Sequence, residues 1–160
     1  MASQKYLGPE KTPREMIRIL PETEQTDALL FIELGEQLNC KAQTRYAHSN
    51  RYWRCVFSTG KPNRVLFVVE CTDEWWRIKT TLKSLERYKE KLDGCSENMI
   101  NTIKSAYDCV KCYDKCKGGA QFTLDGVEYN KCIGNSFYFA GLTGGDSQSL
   151  LMLLTTEAQL

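Results

Sequence analysis

The segment DCVKCYDKCKGG, Asp108 to Gly119, carries Cys109, Cys112 and Cys116, and a fourth cysteine follows at Cys132. The pattern C-x2-C-x3-C-x15-C can place four thiolates about 2.3 Å from one zinc ion. Cys109 and Cys112 would come from a single tight turn, and Cys116 and Cys132 from neighbouring chain. Lys111, Lys115, Lys117 and Lys131 flank them and can offset the thiolate charge and favour deprotonation. Other readings remain open for the same residues. An iron–sulfur cluster takes four thiolates too, and Cys109 with Cys112 can form a redox pair in a thiol-dependent enzyme or sensor. Finally, three cysteines at this spacing fit one face of a continuing helix as small core residues. The redox reading is weakened by the helical pattern of the preceding segment, because a helix C-terminus opposes thiolate formation.

Other chemistry is sparse. His48 is the single histidine, in RYAHSNRYWR, and no serine or paired-carboxylate motif accompanies it, so no catalytic residue is assigned and a non-enzymatic protein is expected. Gly144 and Gly145 lack the lysine of a phosphate-binding loop. Tyr46, Tyr52, Arg54 and Trp75 mix rings with a cation and would suit a small planar or anionic ligand on a sheet face. Cys40, Cys55, Cys71 and Cys95 show no metal spacing and read as structural.

The elements that must position these residues follow from periodicity. Residues 1–25 contain Pro9, Pro13 and Pro21 and read as an N-terminal arm with one short helical turn at Pro13 to Ile19. Leu29, Leu30, Ile32, Leu34 and Leu38 predict a helix over 26–38, capped by Thr26 or Asp27 and interrupted by Gly35. AQTRYAH, RYWRCVFS and RVLFVVECT read as strands. The second and third form an antiparallel hairpin across TGKPN, and the doubly apolar 64–71 segment should be central. Ile78, Leu82, Leu85 and Leu92 trace a stripe that predicts a helix over 72–94, with Thr72 or Asp73 as cap and Gly94 as stop. A further helix from Ser96 would turn Met99, Ile100, Ile103 and Tyr107 inward. AQFTLDGVEYNKC predicts two strands around Asp125-Gly126, NSFYFAG another strand, and DSQSLLMLLTTE a last helix capped by Asp146.

The expected whole is one α+β domain over residues 26–160, an antiparallel sheet with helices packed on it and a Cys-rich C-terminal hairpin within 108–135. Hydrophobic residues make up 42% of 160, enough for one core. The net charge of +1 gives no overall field for nucleic acid or membrane, so nucleic acid is not the expected partner and a small molecule or protein is. The first twenty residues lack an apolar signal core and no apolar run reaches spanning length. A cytoplasmic, reducing setting is therefore expected, with thiols rather than disulfides.

CVKCYDKCKGGAQFTLDGVEYNKC followed by SFYFAGL, with RYWRCVFSTGK and RVLFVVE before it, resembles the C-terminal part of small uncharacterised bacterial proteins grouped as a domain of unknown function. The resemblance covers about residues 45 to 140. It implies no reaction and transfers no site residue. The expectation for function is therefore a binding or interaction module with a structural four-cysteine zinc site, and the alternative is the redox protein using Cys109 and Cys112.

Overall fold

The computed structural model describes residues 11–60, 64–134 and 137–160. The α+β architecture expected from the sequence is present, with a five-stranded antiparallel sheet, a separate two-stranded sheet, and helices. The helices are α1 (Pro13–Ile17), α2 (Glu22–Gln37), α3 (Glu97–Ser105) and α4 (Gly144–Ala158). The large sheet contains β1 (Lys41–Ala47), β2 (Tyr52–Thr59), β3 (Arg64–Cys71), β4 (Trp76–Thr80) and β7 (Phe137–Ala140), in the order β1-β2-β3-β4-β7. The small sheet pairs β5 (Ala120–Leu124) with β6 (Val127–Lys131).

Strand alternation sorts the large sheet into two faces. Cys55, Phe57, Phe67, Val69, Cys71, Trp76, Ile78, Phe137 and Phe139 join one apolar cluster with Met16 and Ile17 of α1, Phe31 and Ile32 of α2, Met99 and Ile103 of α3, and Leu150, Leu153 and Leu154 of α4. Phe31 sets its ring 6.4 Å from Phe67 and 5.9 Å from Trp76. The opposite, outer side chains, Arg54, Val56, Val68, Glu70, Arg77, Lys79 and Tyr138, are outside that cluster. β3 is central, as its apolar run requires, and the expected β2–β3 hairpin forms with a bulge at Phe57/Ser58. Most of its TGKPN connection lies outside the described residues.

Local chemistry explains the ends of several elements. Thr12 caps α1 through a reciprocal capping box with Glu15, which satisfies two otherwise orphaned backbone groups. Helix α2 begins four residues before the expected Thr26, with Pro21 as N-cap, because the fixed φ of proline already suits a helix entry. Gly35 inside α2 is a packing residue: a Cβ there would overlap the Phe57 ring. Helix α4 starts at Gly144 with Thr143 as its N-cap, so Asp146 lies in the first turn rather than at the cap. Its charge still complements the helix dipole from that place.

The largest correction concerns residues 72–94. No α-helix forms there; β4 takes Trp76–Thr80, and short 3-10 turns take Leu85–Arg87 and Lys89–Gly94. Ile78 belongs both to a 3.6-residue stripe and to the two-residue alternation Trp76-Ile78-Thr80, and all three of these side chains are buried. The β-branched Ile78 and Thr80, paired with β3 on one side and β7 on the other, settle the competition in favour of the strand. Leu82, Leu85, Tyr88 and Leu92 then reach the core from the turns that follow. Tyr107, expected to face inward, is 67% exposed, since α3 ends at Ser105 and the chain turns away.

A buried carboxylate locks the C-terminal helix to this frame. Glu157, 1% exposed, accepts from the Tyr88 hydroxyl at 2.5 Å, Arg64 Nη2 at 2.7 Å and the Ser84 backbone N–H at 3.1 Å. Burial and the adjacent Glu157 charge push the Tyr88 hydroxyl pKa well above its usual range, so tyrosine stays a donor at any working pH.

Candidate functional site: the outer sheet face and the cysteine segment

The ladder registers order the outer face into rows. One row runs Arg45, Arg54, Glu70, Arg77 and Ala140 across β1, β2, β3, β4 and β7, and the next runs Gln43, Val56, Val68, Lys79 and Tyr138. Glu70 is 1% exposed, which is tolerable for a carboxylate only when it is paired. Its partner is Arg77, whose Nε donates to Glu70 Oε2 at 2.7 Å. The Arg77 guanidinium in turn lies 4.6 Å from the ring of Tyr138, 5.2 Å from Trp75 and 5.7 Å from Tyr52. Such cation–π contacts hold a planar cation in place and add about 0.5–1 kcal/mol each where exposed.

Trp75 reaches this cluster from the β3–β4 turn. Thr72, expected as a helix cap, instead accepts from the backbone N–H groups of Glu74 and Trp75 through its hydroxyl, and its own N–H donates to the Trp75 carbonyl. That local turn leaves Trp75 at the edge of the sheet, 36% exposed and 5.7 Å from the Tyr52 ring. Of the four ligand-binding residues expected from the sequence, Tyr52, Arg54 and Trp75 therefore gather on or beside the outer face. Tyr46 does not join them. It pairs with Trp53 on the other face, with ring centroids 5.4 Å apart, and meets His48 at 5.0 Å.

Arg77, Lys79, Glu70 and Tyr138 were absent from the sequence-based site. For Arg77 and Lys79 the signal was the alternation in WRIKTT, which the competing helical stripe concealed; Glu70 and Tyr138 lie on expected strands, and only the register brings them beside Arg77.

The second candidate, the cysteine segment, has its backbone organised by β6. Asp108 bridges Lys131, the Cys109 N–H donates to the Asn130 carbonyl at 2.8 Å, and the Cys132 N–H donates to the Tyr107 carbonyl at 2.8 Å. Since α3 stops at Ser105, Cys109, Cys112 and Cys116 do not share a continuing helix. Lys111 between the first two has a φ of 49°, and Gly118 after the third has a φ of 93°, so the segment turns sharply on both sides of Cys112 and Cys116. On the other edge of β6, the hairpin turns at Asp125 and Gly126, both at positive φ, as the sequence predicts.

Lys131 holds this arrangement to the body. Its ammonium, buried, donates to the carbonyls of Lys104 and Ala106 at the end of α3 and to Asp108 Oδ1, at 2.7–2.8 Å. That is a favourable place for a cation. The expectation that Lys131 offsets thiolate charge is thereby replaced by a helix-capping role. Further ties are the Thr123 N–H to Glu86 Oε2 at 2.8 Å and the Lys104–Asp125 ion pair at 3.2 Å.

All eight cysteines are thiols in this structure. Among the described residues, no group of three or more Cys, His, Asp or Glu side chains stands close enough together to hold a metal. Cys55 and Cys71 are fully buried, and burial pushes Cys71 up to about 12. Cys40, Cys55 and Cys95 are also raised by burial. These four thiols are poor nucleophiles at neutral pH. Cys112, by contrast, is exposed.

Among the described residues no helix is long and apolar enough to cross a membrane. No protein-family model, curated protein or solved structure matches this chain.

Proposed function

We propose that this protein is a non-enzymatic binding module whose ligand surface is the outer face of the five-stranded sheet, stabilised by a structural zinc ion on Cys109, Cys112, Cys116 and Cys132. The observation that carries the binding reading is the Arg77 cluster. A guanidinium paired with a buried carboxylate and placed against three rings is held rigid on the outer sheet face. With its charge already met by Glu70, it offers a stacking platform to a planar ring without reorganisation on binding, and the neighbouring Arg54, which has no ion-pair partner among the described residues, offers the positive charge. Adenosine monophosphate is a suitable first probe, since it joins a planar ring to an anion. Isothermal titration should detect its binding, and Arg54→Glu should weaken it about tenfold, the equivalent of ~1.4 kcal/mol. Unchanged affinity in that variant contradicts the reading.

The zinc reading is supported by the ladder. Directly opposed residues share a face, as do residues two positions along on the partner strand. Asn130 opposes Cys109, so Cys132 lies diagonally on the same side as Cys109. Continuing the Ala120–Lys131 register sets Gly119, three residues after Cys116, beside Cys132. Zinc would supply here only a cross-link. The residues of the chain supply four soft donors on a short loop with little core of its own. Closure of Cys112 and Cys116 onto the other two thiols would accompany metal uptake.

Freshly purified protein should contain about one zinc per chain, with four thiols that become reactive only after chelation. Metal-free protein with a reversible Cys109–Cys112 disulfide would contradict the zinc reading and favour the redox alternative.

A further inference from the structure

We propose that the outer sheet face binds single-stranded nucleic acid, with Arg45 and Arg54 gripping a backbone phosphate and the Tyr52, Trp75 and Tyr138 cluster stacking bases. The proposal rests on the binding-surface reading above and names its ligand class.

One row of this face carries a charge imbalance. Arg45 and Arg54 are directly opposed across β1 and β2, an arrangement that destabilises a sheet when nothing lies between the charges. Glu70 stands opposite Arg54 on the next strand, yet its ion pair is with Arg77. Among the described residues, no carboxylate is within ion-pair distance of Arg45 or Arg54. Arg54 Nε is moreover buried and has no hydrogen-bond partner. An orphaned buried donor costs about 1–3 kcal/mol, more when charged. Two local rules are broken at one place, which is the pattern of a surface completed by a ligand.

An anion offsets the like-charge opposition and gives the Arg54 guanidinium an acceptor. Opposed side chains on adjacent strands start about 5 Å apart, so two guanidinium forks can converge on the oxygens of one phosphate. Two further cations extend the surface: Lys41 on β1 and Lys79 on β4 share the same face. From β1 to β4 is three strand spacings, about 14 Å, wider than one phosphate needs. A polymer of phosphates matches that spread better than a single nucleotide.

The rings select unpaired bases. Trp75 is partly exposed at the edge of the face, and Lys79 lies 5.4 Å from the Tyr138 ring. Rings and guanidinium planes on an open antiparallel sheet stack on splayed bases, which a duplex keeps hidden. The near-neutral net charge of +1 is no obstacle, because screening over about 8 Å makes the local face, not the whole chain, the relevant field.

The test is fluorescence anisotropy of a labelled oligothymidylate about 12 nucleotides long, within the range of single-strand site sizes. Binding is expected in about 50 mM salt and should weaken steeply as salt rises. Arg45→Gln and Arg54→Gln should each lower affinity about tenfold and reduce the salt slope by about one. Unchanged thermal unfolding of Arg45→Gln, whose side chain is exposed, would show that the loss is not a folding defect. Glu36→Gln on α2 should bind like the parent. No oligonucleotide binding at low salt, equal binding of a duplex, or full affinity in Arg45→Gln would each overturn the proposal. Adenosine monophosphate bound as tightly as the oligonucleotide would overturn the polymer while leaving the binding surface standing; failure of both probes would remove both.

Discussion

Replacing Glu157 by alanine is expected to destabilise the protein by about 3 kcal/mol, the lower end of the range for breaking a buried ion pair. The lower end applies because Arg64 keeps 32% of its side-chain exposure and regains water when its partner is lost. Most of the loss comes from the fully buried Tyr88 hydroxyl, 2.5 Å from Glu157, and from the Ser84 N–H, both left without their acceptor. In a chain of 160 residues this corresponds to a fall in Tm of about 6–12 °C. Glu157→Gln keeps an acceptor and should fall between alanine and the parent. Equal unfolding midpoints for Glu157→Ala and parent would show that α4 is held by its Leu150, Leu153 and Leu154 packing alone.

Gly119→Ala should damage the cysteine segment more than the body. A Cβ at Gly119 would overlap the Lys131 carbonyl oxygen and sit 2.8 Å from its carbon. Backbone within a paired strand cannot move aside as a side-chain tip can, so a cost of about 3 kcal/mol is expected, the upper end of the overpacking range. The strain falls on the start of the β5–β6 pairing, beside Cys132. Amide exchange should accelerate in Ala120–Leu124 and Val127–Lys131 with little change in β3, and zinc content should fall together with that pairing. Retention of parent-like exchange in both strands would mean the close approach is not required.

The sequence was most legible where one period stood alone. Arg64–Cys71 is apolar at nearly every position and could only be a central strand, and Asp125-Gly126 names its own turn. It was least legible where two periods shared residues. Ile78 fits a helical stripe and a strand alternation equally well, and only pairing with Val69 on β3 and Phe139 on β7 decides between them. That ambiguity carried over to the site, since a strand puts Arg77 and Lys79 on one face with Tyr138 while a helix would have sent them to solvent. Tyr46 was misplaced for a different reason. The register that opposes it to Trp53 depends on the length of the 48–51 turn, which composition does not reveal. The Arg45–Arg54 opposition is likewise a property of register.

The central claim is that the outer sheet face is the ligand surface, and the most direct test is a map of backbone and indole N–H chemical shifts during titration with adenosine monophosphate. Saturable changes should concentrate at Arg45, Arg54, Glu70, Arg77 and Tyr138 and at the Trp75 indole, with the amides of α2 and α4 unmoved. Changes centred on the helical layer, or none at concentrations that saturate other nucleotide sites, would contradict it.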